Sequence, residues 1–344
     1  MIVQSYEEAY QKLLKALKNY SYLFTGLKKV LVKPNLLSPR KPDEYVTTHP
    51  LIVKAVLEFL LNLGVEVVVG DSPAVGSLER VARVSGIKSV CDEFGVELVP
   101  FEDCVSVNGS IFRDIKLAKV IFEVEAVVNL PKLKTHSQMV MTLGVKNTFG
   151  CVVGIEKSSW HLKAGTDENF ARLLIDVHKI VSPILTVLDG VWGMEGNGPS
   201  NGEKKFFGVL AISRNAFALD DAIVRSLGVN PDNVFVLKEA RKRGLIPDYE
   251  IVGDDFKSSI KLPTTRSFLN RAGRIIEPLI AKVPRFDKKK CVKCGICEER
   301  CPSKAINVEI QRINYEKCIR CYVCHEVCPE NAMKLVRRVF SLRR

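Results

Sequence analysis

The spacing of apolar residues divides the first 262 residues into alternating helical and extended segments. A stripe of Leu13, Leu14 and Leu17 predicts a helix over residues 6–20, and β-branched runs predict strands at residues 30–32 and 65–69. Further helices are predicted near residues 51–63, 168–180 and 216–227, and further strands near residues 97–99, 126–129, 185–188 and 207–212. This alternation predicts an α/β domain with a largely parallel sheet.

The pattern changes towards the carboxyl end, where eight of the eleven cysteines lie between residues 291 and 328. The spacing C-x2-C-x2-C-x3-C-P begins at Cys291 and occurs again from Cys318. In such a duplicated module the fourth cysteine of each run ligates the other iron–sulfur cluster. The sequence therefore predicts two [4Fe–4S] clusters, one held by Cys291, Cys294, Cys297 and Cys328 and the other by Cys318, Cys321, Cys324 and Cys301.

Residues 287–336 resemble the bacterial-type ferredoxin with two [4Fe–4S] clusters. The resemblance implies one-electron transfer by a small α+β fold of short hairpins and helices. A pair of zinc sites is the competing interpretation, because C-x-x-C pairs also bind zinc, although three cysteines per loop exceed what one zinc ion needs. His325 is interpreted as a surface or packing residue, since sulfur fills all eight predicted ligand positions.

The length of 344 residues suits about two domains. We predict an α/β domain over residues 1–262, a basic helical linker over 263–286, the ferredoxin-like domain over 287–336 and a basic tail over 337–344. No apolar run has the length of a membrane span, and the amino terminus lacks the pattern of a signal peptide. The expected location is cytoplasmic, and the odd number of cysteines argues against a secreted disulfide framework.

The net charge of +12 is partly a consequence of the predicted metal sites. Two clusters, each with a charge of about −2, lower the net charge to about +8. The remaining basic residues cluster in residues 266–290 and in the tail, where they form a solvated surface or dock an acidic partner. They are not interleaved with aromatic residues, so the sequence argues against nucleic-acid binding.

Polar residues follow the predicted strands of the α/β domain, and ligands in open α/β sheets bind beyond the carboxyl ends of the strands. Lys132, Lys134 and His136 alternate, so an extended chain projects them to one face. Three lysines and a histidine suit a carboxylate or phosphate ligand, and a desolvated lysine can act as an acid or base. The candidate catalytic residues are Lys132, Lys134, His136 and Lys146.

A second group of residues is expected to bind the substrate in this crevice: Lys33, Asn35, Asp71, Ser72, Asn147, Asp189 and Glu195. The three acidic side chains among them balance the lysines or hold a divalent cation through oxygen. Two competing interpretations stay open. The lysine-rich segment also suits a charged edge strand that resists aggregation, and Asp71 before Ser72-Pro73 suits a turn cap.

A glycine-rich segment over residues 190–202 does not fit a nucleotide-binding motif. Pro199-Ser200 stands where a P-loop requires Lys-Ser or Lys-Thr, and Asn201 stands at the third glycine position of a dinucleotide fingerprint. The segment is expected to form a tight, mobile loop over the crevice. His161 is expected in a loop and is a weaker candidate for the crevice.

Five motifs together are similar to a prokaryotic domain family often labelled iron–sulfur centre protein. They are Lys33-Pro34-Asn35, Thr47-Thr48-His49-Pro50, Gly70-Asp71-Ser72-Pro73, the segment 129–136 and Gly144-Val145-Lys146-Asn147. The resemblance covers residues 30–252, and members of the family are frequently fused to a dicluster ferredoxin module. It implies no particular activity.

The leading hypothesis is an iron–sulfur oxidoreductase that relays electrons to or from an anionic small molecule or cofactor in the crevice. Lysines orient the anion, and His136 transfers protons. The alternative is a non-enzymatic electron-transfer subunit that docks to a larger redox partner protein. The sequence leaves open whether the crevice also holds a flavin or another non-covalent cofactor, and which oligomeric state the chain adopts.

Overall fold

An eight-stranded sheet organises most of the chain in the computed structural model, which describes residues 1–154, 156–265 and 282–337. The strands are β1 (Lys29–Pro34), β2 (Glu66–Asp71), β3 (Glu97–Pro100), β4 (Cys104–Val107), β5 (Ile115–Ala118), β6 (Ala126–Leu130), β7 (Lys132–His136), β8 (Val140–Thr142), β9 (Leu185–Glu195), β10 (Glu203–Ser213), β11 (Lys282–Phe286), β12 (Ile306–Asn307), β13 (Arg312–Ile313) and β14 (Met333–Arg337). All of β1–β3 and β6–β10 belong to the large sheet.

The α-helices within the described residues are α1 (Tyr6–Leu17), α2 (Pro50–Asn62), α3 (Leu78–Val84), α4 (Ile87–Phe94), α5 (Gly144–Asn147), α6 (Glu156–Lys163), α7 (Asp167–Val181), α8 (Ala216–Ser226), α9 (Phe235–Lys242), α10 (Ile296–Glu299) and α11 (Val323–Glu326). Short 3-10 helices occupy Lys18–Phe24, Pro42–Glu44, Lys119–Phe122, Thr148–Cys151 and Pro231–Asn233. In this part of the chain no helix is both long and apolar enough to cross a membrane.

The strand order of the large sheet is β3-β2-β1-β6-β9-β7-β8, and β10 pairs with β9. The pairs β1–β2, β1–β6, β2–β3, β6–β9 and β7–β9 are parallel, whereas β7–β8 and β9–β10 are antiparallel. The predicted fold class, a largely parallel α/β sheet, is therefore confirmed.

Helices cover both faces of this sheet, as the buried strands require. Val30 and Val32 of β1 pack into a core that contains residues of α1 and α2, whereas Leu31 between them packs into a second core with residues of α7. Side chains of successive strand residues point to opposite faces, so one apolar run fills two cores.

The glycine-rich segment is not the mobile loop expected from the sequence over its first half. Strand β9 extends to Glu195, so Gly190 and Gly193 lie within the sheet. A Cβ atom at Gly193 would lie 2.4 Å from the carbonyl oxygen of Leu133, and one at Gly198 would lie 2.3 Å from that of Thr135. These glycines therefore permit close packing of backbones.

The cysteine-rich region forms a small α+β unit. Strand β11 pairs antiparallel with β14, β12 pairs with β13, and the short helices α10 and α11 pack between them. The predicted helical linker is wrong over its last five residues, because Lys282–Phe286 forms strand β11 of this unit. Residues 266–281 of that linker and residues 338–344 of the predicted tail lie outside the described residues.

A buried ion pair joins the sheet to the amino-terminal helix. The Lys132 ammonium lies 2.8 Å from Asp189 Oδ2 and donates to the Tyr6 hydroxyl at 2.6 Å, and neither charged side chain is exposed. The backbone N–H of His49, which caps α2, donates to the same carboxylate at 2.9 Å. Strands β7 and β9 and helices α1 and α2 therefore meet at one charged centre.

Removing one partner of this pair leaves a buried charge uncompensated, so we expect Lys132→Met to lower the free energy of unfolding by about 3–5 kcal/mol. The double variant K132M/D189N should recover part of that loss. Urea denaturation followed by circular dichroism measures both. Lys257→Met, which removes an exposed ion pair with Asp255, is the control and should change the value by less than about 0.5 kcal/mol. A K132M protein as stable as the wild type would contradict this role.

Candidate functional site

A pocket lies at the carboxyl ends of β1 and β2, where the sequence places the crevice. Its cavity volume is about 100 Å³, which suits a small ligand. The α/β domain contributes most of the wall, and the cysteine-rich unit contributes the rest. Eight sequence-predicted residues line it together: Lys33, Asn35, Asp71, Ser72, Lys134, His136, Lys146 and Asn147.

Lys33 and Asp71 form an ion pair at the floor of the pocket. The ammonium lies 2.9 Å from Asp71 Oδ1, and both side chains are buried. Asp71 also accepts hydrogen bonds from the backbone N–H groups of Leu36 and Ser72, each at 2.8 Å. A Cβ at Gly150 would lie 2.2 Å from Asp71 Oδ1. Only glycine at this position lets the backbone lie so close to the pair.

Lys134 is buried without a carboxylate of its own. Its ammonium donates to Asn35 Oδ1 at 2.9 Å and to the carbonyl oxygen of Val46 at 2.7 Å. Burial lowers the pKa of Lys134 to about 7, and the carboxylate of Glu326 opposes that shift. Neutral oxygens therefore hold an amine that changes its charge near neutral pH.

His136 presents its Nε2 atom to the pocket. Its Nδ1 atom accepts hydrogen bonds from the backbone N–H groups of Gln138 at 3.1 Å and Met139 at 3.2 Å. We assign the proton of the neutral ring to Nε2 on this ground. That nitrogen lies 3.7 Å from Glu326 Oε2.

The short helix α5 delivers Lys146 and Asn147 to the pocket. Asp220, which is buried, accepts hydrogen bonds from the backbone N–H groups of Gly144 at 2.7 Å and Val145 at 3.0 Å, and burial raises the pKa of its carboxyl to about 7. Within the described residues, the Lys146 ammonium makes no hydrogen bond or ion pair. Burial lowers the pKa of Lys146 and the carboxylate of Glu326 opposes that shift, so this amine is available to an anionic ligand.

Helix α6 adds two residues to the pocket that the sequence analysis undervalued. The segment expected to be a loop is a helix, and Lys157 and His161 both line the pocket from it. Burial lowers the pKa of Lys157 to about 7 and that of His161 to about 3. Their spacing of four residues, which puts two side chains on one helix face, is the signal that would have found them.

Three predicted residues do not reach the pocket. Lys132 and Asp189 pair with each other in the buried centre described above. Glu195 lies 3.3 Å from the ammonium of Lys205 and 3.5 Å from that of Lys261. Lys132 and Lys134 occupy alternate positions of β7, but the ammonium of Lys132 is held by Asp189. That of Lys134 instead contacts Asn35 and the carbonyl oxygen of Val46. The expected joint site of Asp71, Asp189 and Glu195 is not formed.

The cysteine-rich unit closes the pocket with Arg300, Val323, Glu326 and Val327. Hydrogen bonds hold this unit against the α/β domain. Asn201 Nδ2 donates to the carbonyl oxygen of His325 at 2.6 Å, and Arg40 donates to that of Pro329 at 3.2 Å.

The eight cysteines of the unit line two separate cavities. One is lined by Cys291, Cys294, Cys297 and Cys328, and the other by Cys301, Cys318, Cys321 and Cys324. The backbone N–H of Ala305 donates to Cys301 Sγ at 3.3 Å, and that of Ala332 donates to Cys328 Sγ at 3.2 Å. Four sulfur donors around each cavity, with N–H groups directed at sulfur, fit an iron–sulfur cluster.

A site for a single metal ion has different requirements from a cluster site. Across residues 1–154, 156–265 and 282–337, no three histidine, cysteine, aspartate or glutamate side chains are placed to hold one metal ion together.

Two family models match the chain. Residues 30–225 match a domain of unknown function, DUF362, and residues 283–329 match a 4Fe-4S dicluster domain. The cysteine-rich unit is therefore an iron–sulfur module of the 4Fe–4S type, as predicted. A thylakoid-associated protein of Synechocystis sp. is 38% identical over 221 residues, which are 64% of this chain and 69% of that protein.

Two solved structures share part of the fold. A protein of Thermotoga maritima has 15% identity and a TM-score of 0.39, over 72% of this chain and 61% of that chain. The lactate racemase apoprotein of Thermoanaerobacterium thermosaccharolyticum has 12% identity and a TM-score of 0.38, over 54% of this chain and 49% of that chain. This chain thus spans less than two thirds of either structure.

The lowered pKa of Lys134 predicts a pH dependence of stability. In the unfolded chain the amine keeps its ordinary pKa of 10.5, so between pH about 7 and 10.5 the unfolded state binds more protons than the folded state. The free energy of unfolding therefore rises with pH across this window, and the burial penalty is complete below it.

Lys134→Met should remove this contribution. Urea denaturation at pH values from about 7 to about 9.5 should show a smaller rise for the variant than for the wild type. Lys163→Met, a change at an exposed lysine of α6, should follow the wild-type curve. Parallel curves for wild type and K134M would show that Lys134 does not titrate in this window.

Proposed function

The chain belongs to the DUF362 family, and from that premise we propose that it is an oxidoreductase that binds a small anion beside two [4Fe–4S] clusters. One observation carries the proposal. Arg300, Val323 and Val327 of the pocket wall are the sequence neighbours of Cys301, Cys324 and Cys328. A ligand in the pocket therefore lies against the loops that would hold the clusters.

The side chains of the pocket suit an anion whose reaction includes proton transfer. Lys146 attracts the negative group, and Lys134 and Lys157, which change charge near pH 7, adjust to its arrival. His136 donates a hydrogen bond to the anion from Nε2, which lies 3.7 Å from the Glu326 carboxylate, and the lysines take up or release the proton. When bound, [4Fe–4S] clusters give or accept single electrons.

A second candidate function rests on the outer surface of the iron–sulfur module. Val292 is 63% exposed and Ile319 is 40% exposed, and they follow Cys291 and Cys318 in the chain. Exposed apolar side chains next to cluster ligands suit a contact with a redox partner. This observation favours an electron-transfer subunit that docks to a larger protein.

We also propose a cytoplasmic location. Thylakoid association is stated for the Synechocystis relative alone. Eight thiolate ligands and three further unpaired cysteines suit a reducing compartment.

The crossed pairing of the two cysteine runs is testable by double substitution. Cys291 and Cys328 are assigned to one cluster, so C291S/C328S should lose that cluster alone and keep about four of about eight iron atoms. Cys318 and Cys328 are assigned to different clusters, so C318S/C328S should lose both. Iron and sulfide analysis of anaerobically purified protein measures the difference. The reverse pattern would place each cluster within one run.

Anion binding by Lys146 is testable on the holoprotein. Titration calorimetry with a panel of small mono- and dicarboxylates, phosphate and sulfate should find a ligand whose affinity falls at least about tenfold in Lys146→Met. The same ligand should change the electron paramagnetic resonance spectrum of the dithionite-reduced protein. Lys163→Met, on the same side of the fold but outside the pocket wall, is the matched control.

Two results would overturn the proposed site. Either no anion of the panel binds the wild type, or the bound anion leaves the spectrum unchanged and K146M binds it equally well. Both would favour the electron-transfer subunit over the oxidoreductase.

A further inference from the structure

Lys157, whose charge the redox proposal uses, also contacts Ser72, and the redox proposal assigns no role to that contact. Ser72 follows β2 and Lys157 lies in α6, yet Lys157 Nζ is 2.5 Å from Ser72 Oγ. Both residues line the pocket, and Lys157 is half-buried with its amine directed at the serine. The chain thus brings a hydroxyl and an amine together across 85 residues of sequence.

The charged Lys157 ammonium donates to Ser72 Oγ and to the Ser72 carbonyl oxygen, whereas the neutral amine can accept the serine proton in the same geometry. A neutral amine has N–H donors and one lone pair. Its nitrogen also contacts the carbonyl oxygen of Ser72, which accepts an N–H, so the lone pair is left for the hydroxyl. The backbone N–H of Gly154 donates to Ser72 Oγ at 3.3 Å, so the hydroxyl keeps its own proton for Lys157.

Electrostatics keep this amine neutral in part of the molecules at pH 7. Burial lowers the pKa of Lys157 to about 7, and the cations Lys33 and Arg300 act in the same direction. Asp71 opposes the shift but is paired with Lys33 at 2.9 Å. A serine activated by a desolvated lysine is an established arrangement for nucleophilic catalysis.

We propose that Ser72 and Lys157 are a nucleophile and its general base, which transfer the acyl group of a small anionic ester or thioester to the serine. This activity is separate from the proposed redox function and needs no cluster. Lys146, which has no ion pair within the described residues, would attract the anionic part of the substrate.

The step balances without an oxidant or reductant. Ser72 Oγ attacks the acyl carbon and forms a new C–O bond, while its proton passes to Lys157 Nζ. The ester C–O or thioester C–S bond breaks, and the leaving alkoxide or thiolate takes that proton. Water, activated by the same amine, then cleaves the acyl-serine and releases a carboxylate. The Gly154 N–H lies within reach of the serine oxygen and helps to hold the nucleophile in place.

Diisopropyl fluorophosphate is a suitable probe, because it modifies activated serines irreversibly with loss of fluoride. We expect the holoprotein, kept anaerobic, to acquire one adduct that peptide mass spectrometry places on Ser72. The labelling rate should rise with pH to a plateau, with its midpoint at about 7, since only neutral Lys157 accepts the proton.

Matched variants separate this chemistry from a structural tie between β2 and α6. Lys157→Met should lower the labelling rate at least about tenfold. Ser159→Ala and Lys163→Met change residues of the same helix outside the pocket wall and should label as the wild type does. Circular dichroism and iron content confirm that each variant is folded.

Three outcomes would overturn the proposal. They are a wild-type protein without an adduct at Ser72, an adduct on another residue alone, and a K157M protein that is folded and labels at the wild-type rate. None of them bears on the anion-binding test at Lys146, so the two proposals fail separately.

Discussion

Burying lysine amines away from water is the constraint on which this structure depends, because an uncompensated buried charge costs several kcal/mol. Lys33, Lys132 and Lys134 are among the largest fully buried side chains of the protein. Carboxylates of Asp71 and Asp189 lie within 2.9 Å and 2.8 Å of the first two. Lys134 has neutral oxygens instead, so its pKa falls to about 7. Two lysines are thereby structural, and the third is left to respond to a ligand.

Buried polar contacts also position the backbone at the pocket. Asp220 holds the N–H groups at the start of α5, and this short helix carries Lys146 and Asn147. Asn147 Oδ1 accepts from Asn35 Nδ2 at 2.9 Å, and Asn35 in turn accepts from Lys134. The amide side chains of Asn35 and Asn147 therefore connect Lys134 to α5, the helix that carries Lys146.

Periodicity in the sequence predicted six of the eight strands of the large sheet, all but β7 and β8, and was insufficient for the site. The continuous burial of β1 follows from its run of apolar residues, and the cysteine spacing predicted the iron–sulfur module from ligand geometry. Alternation along β7 did not indicate that Asp189 takes up the Lys132 ammonium, because that ion pair depends on the neighbouring strand β9. The sequence pattern did not indicate that Lys157 lines the pocket, because α6 is short and polar. Tertiary contact with Ser72 gives that lysine its chemistry, and no local pattern encodes it.

The pocket and the iron–sulfur module share helix α11. This helix belongs to the module, and its residues Val323 and Glu326 line the pocket. Glu326 belongs to the helix that carries Cys324, and the same carboxylate faces His136 and raises the pKa of Lys134 and Lys146. Cluster ligation would hold the loop around Cys324 in place, and with it the carboxylate of Glu326. Because that carboxylate opposes the lowering of the pKa of Lys134 and Lys146 by burial, the iron–sulfur module contributes to the electrostatics of the pocket through one glutamate.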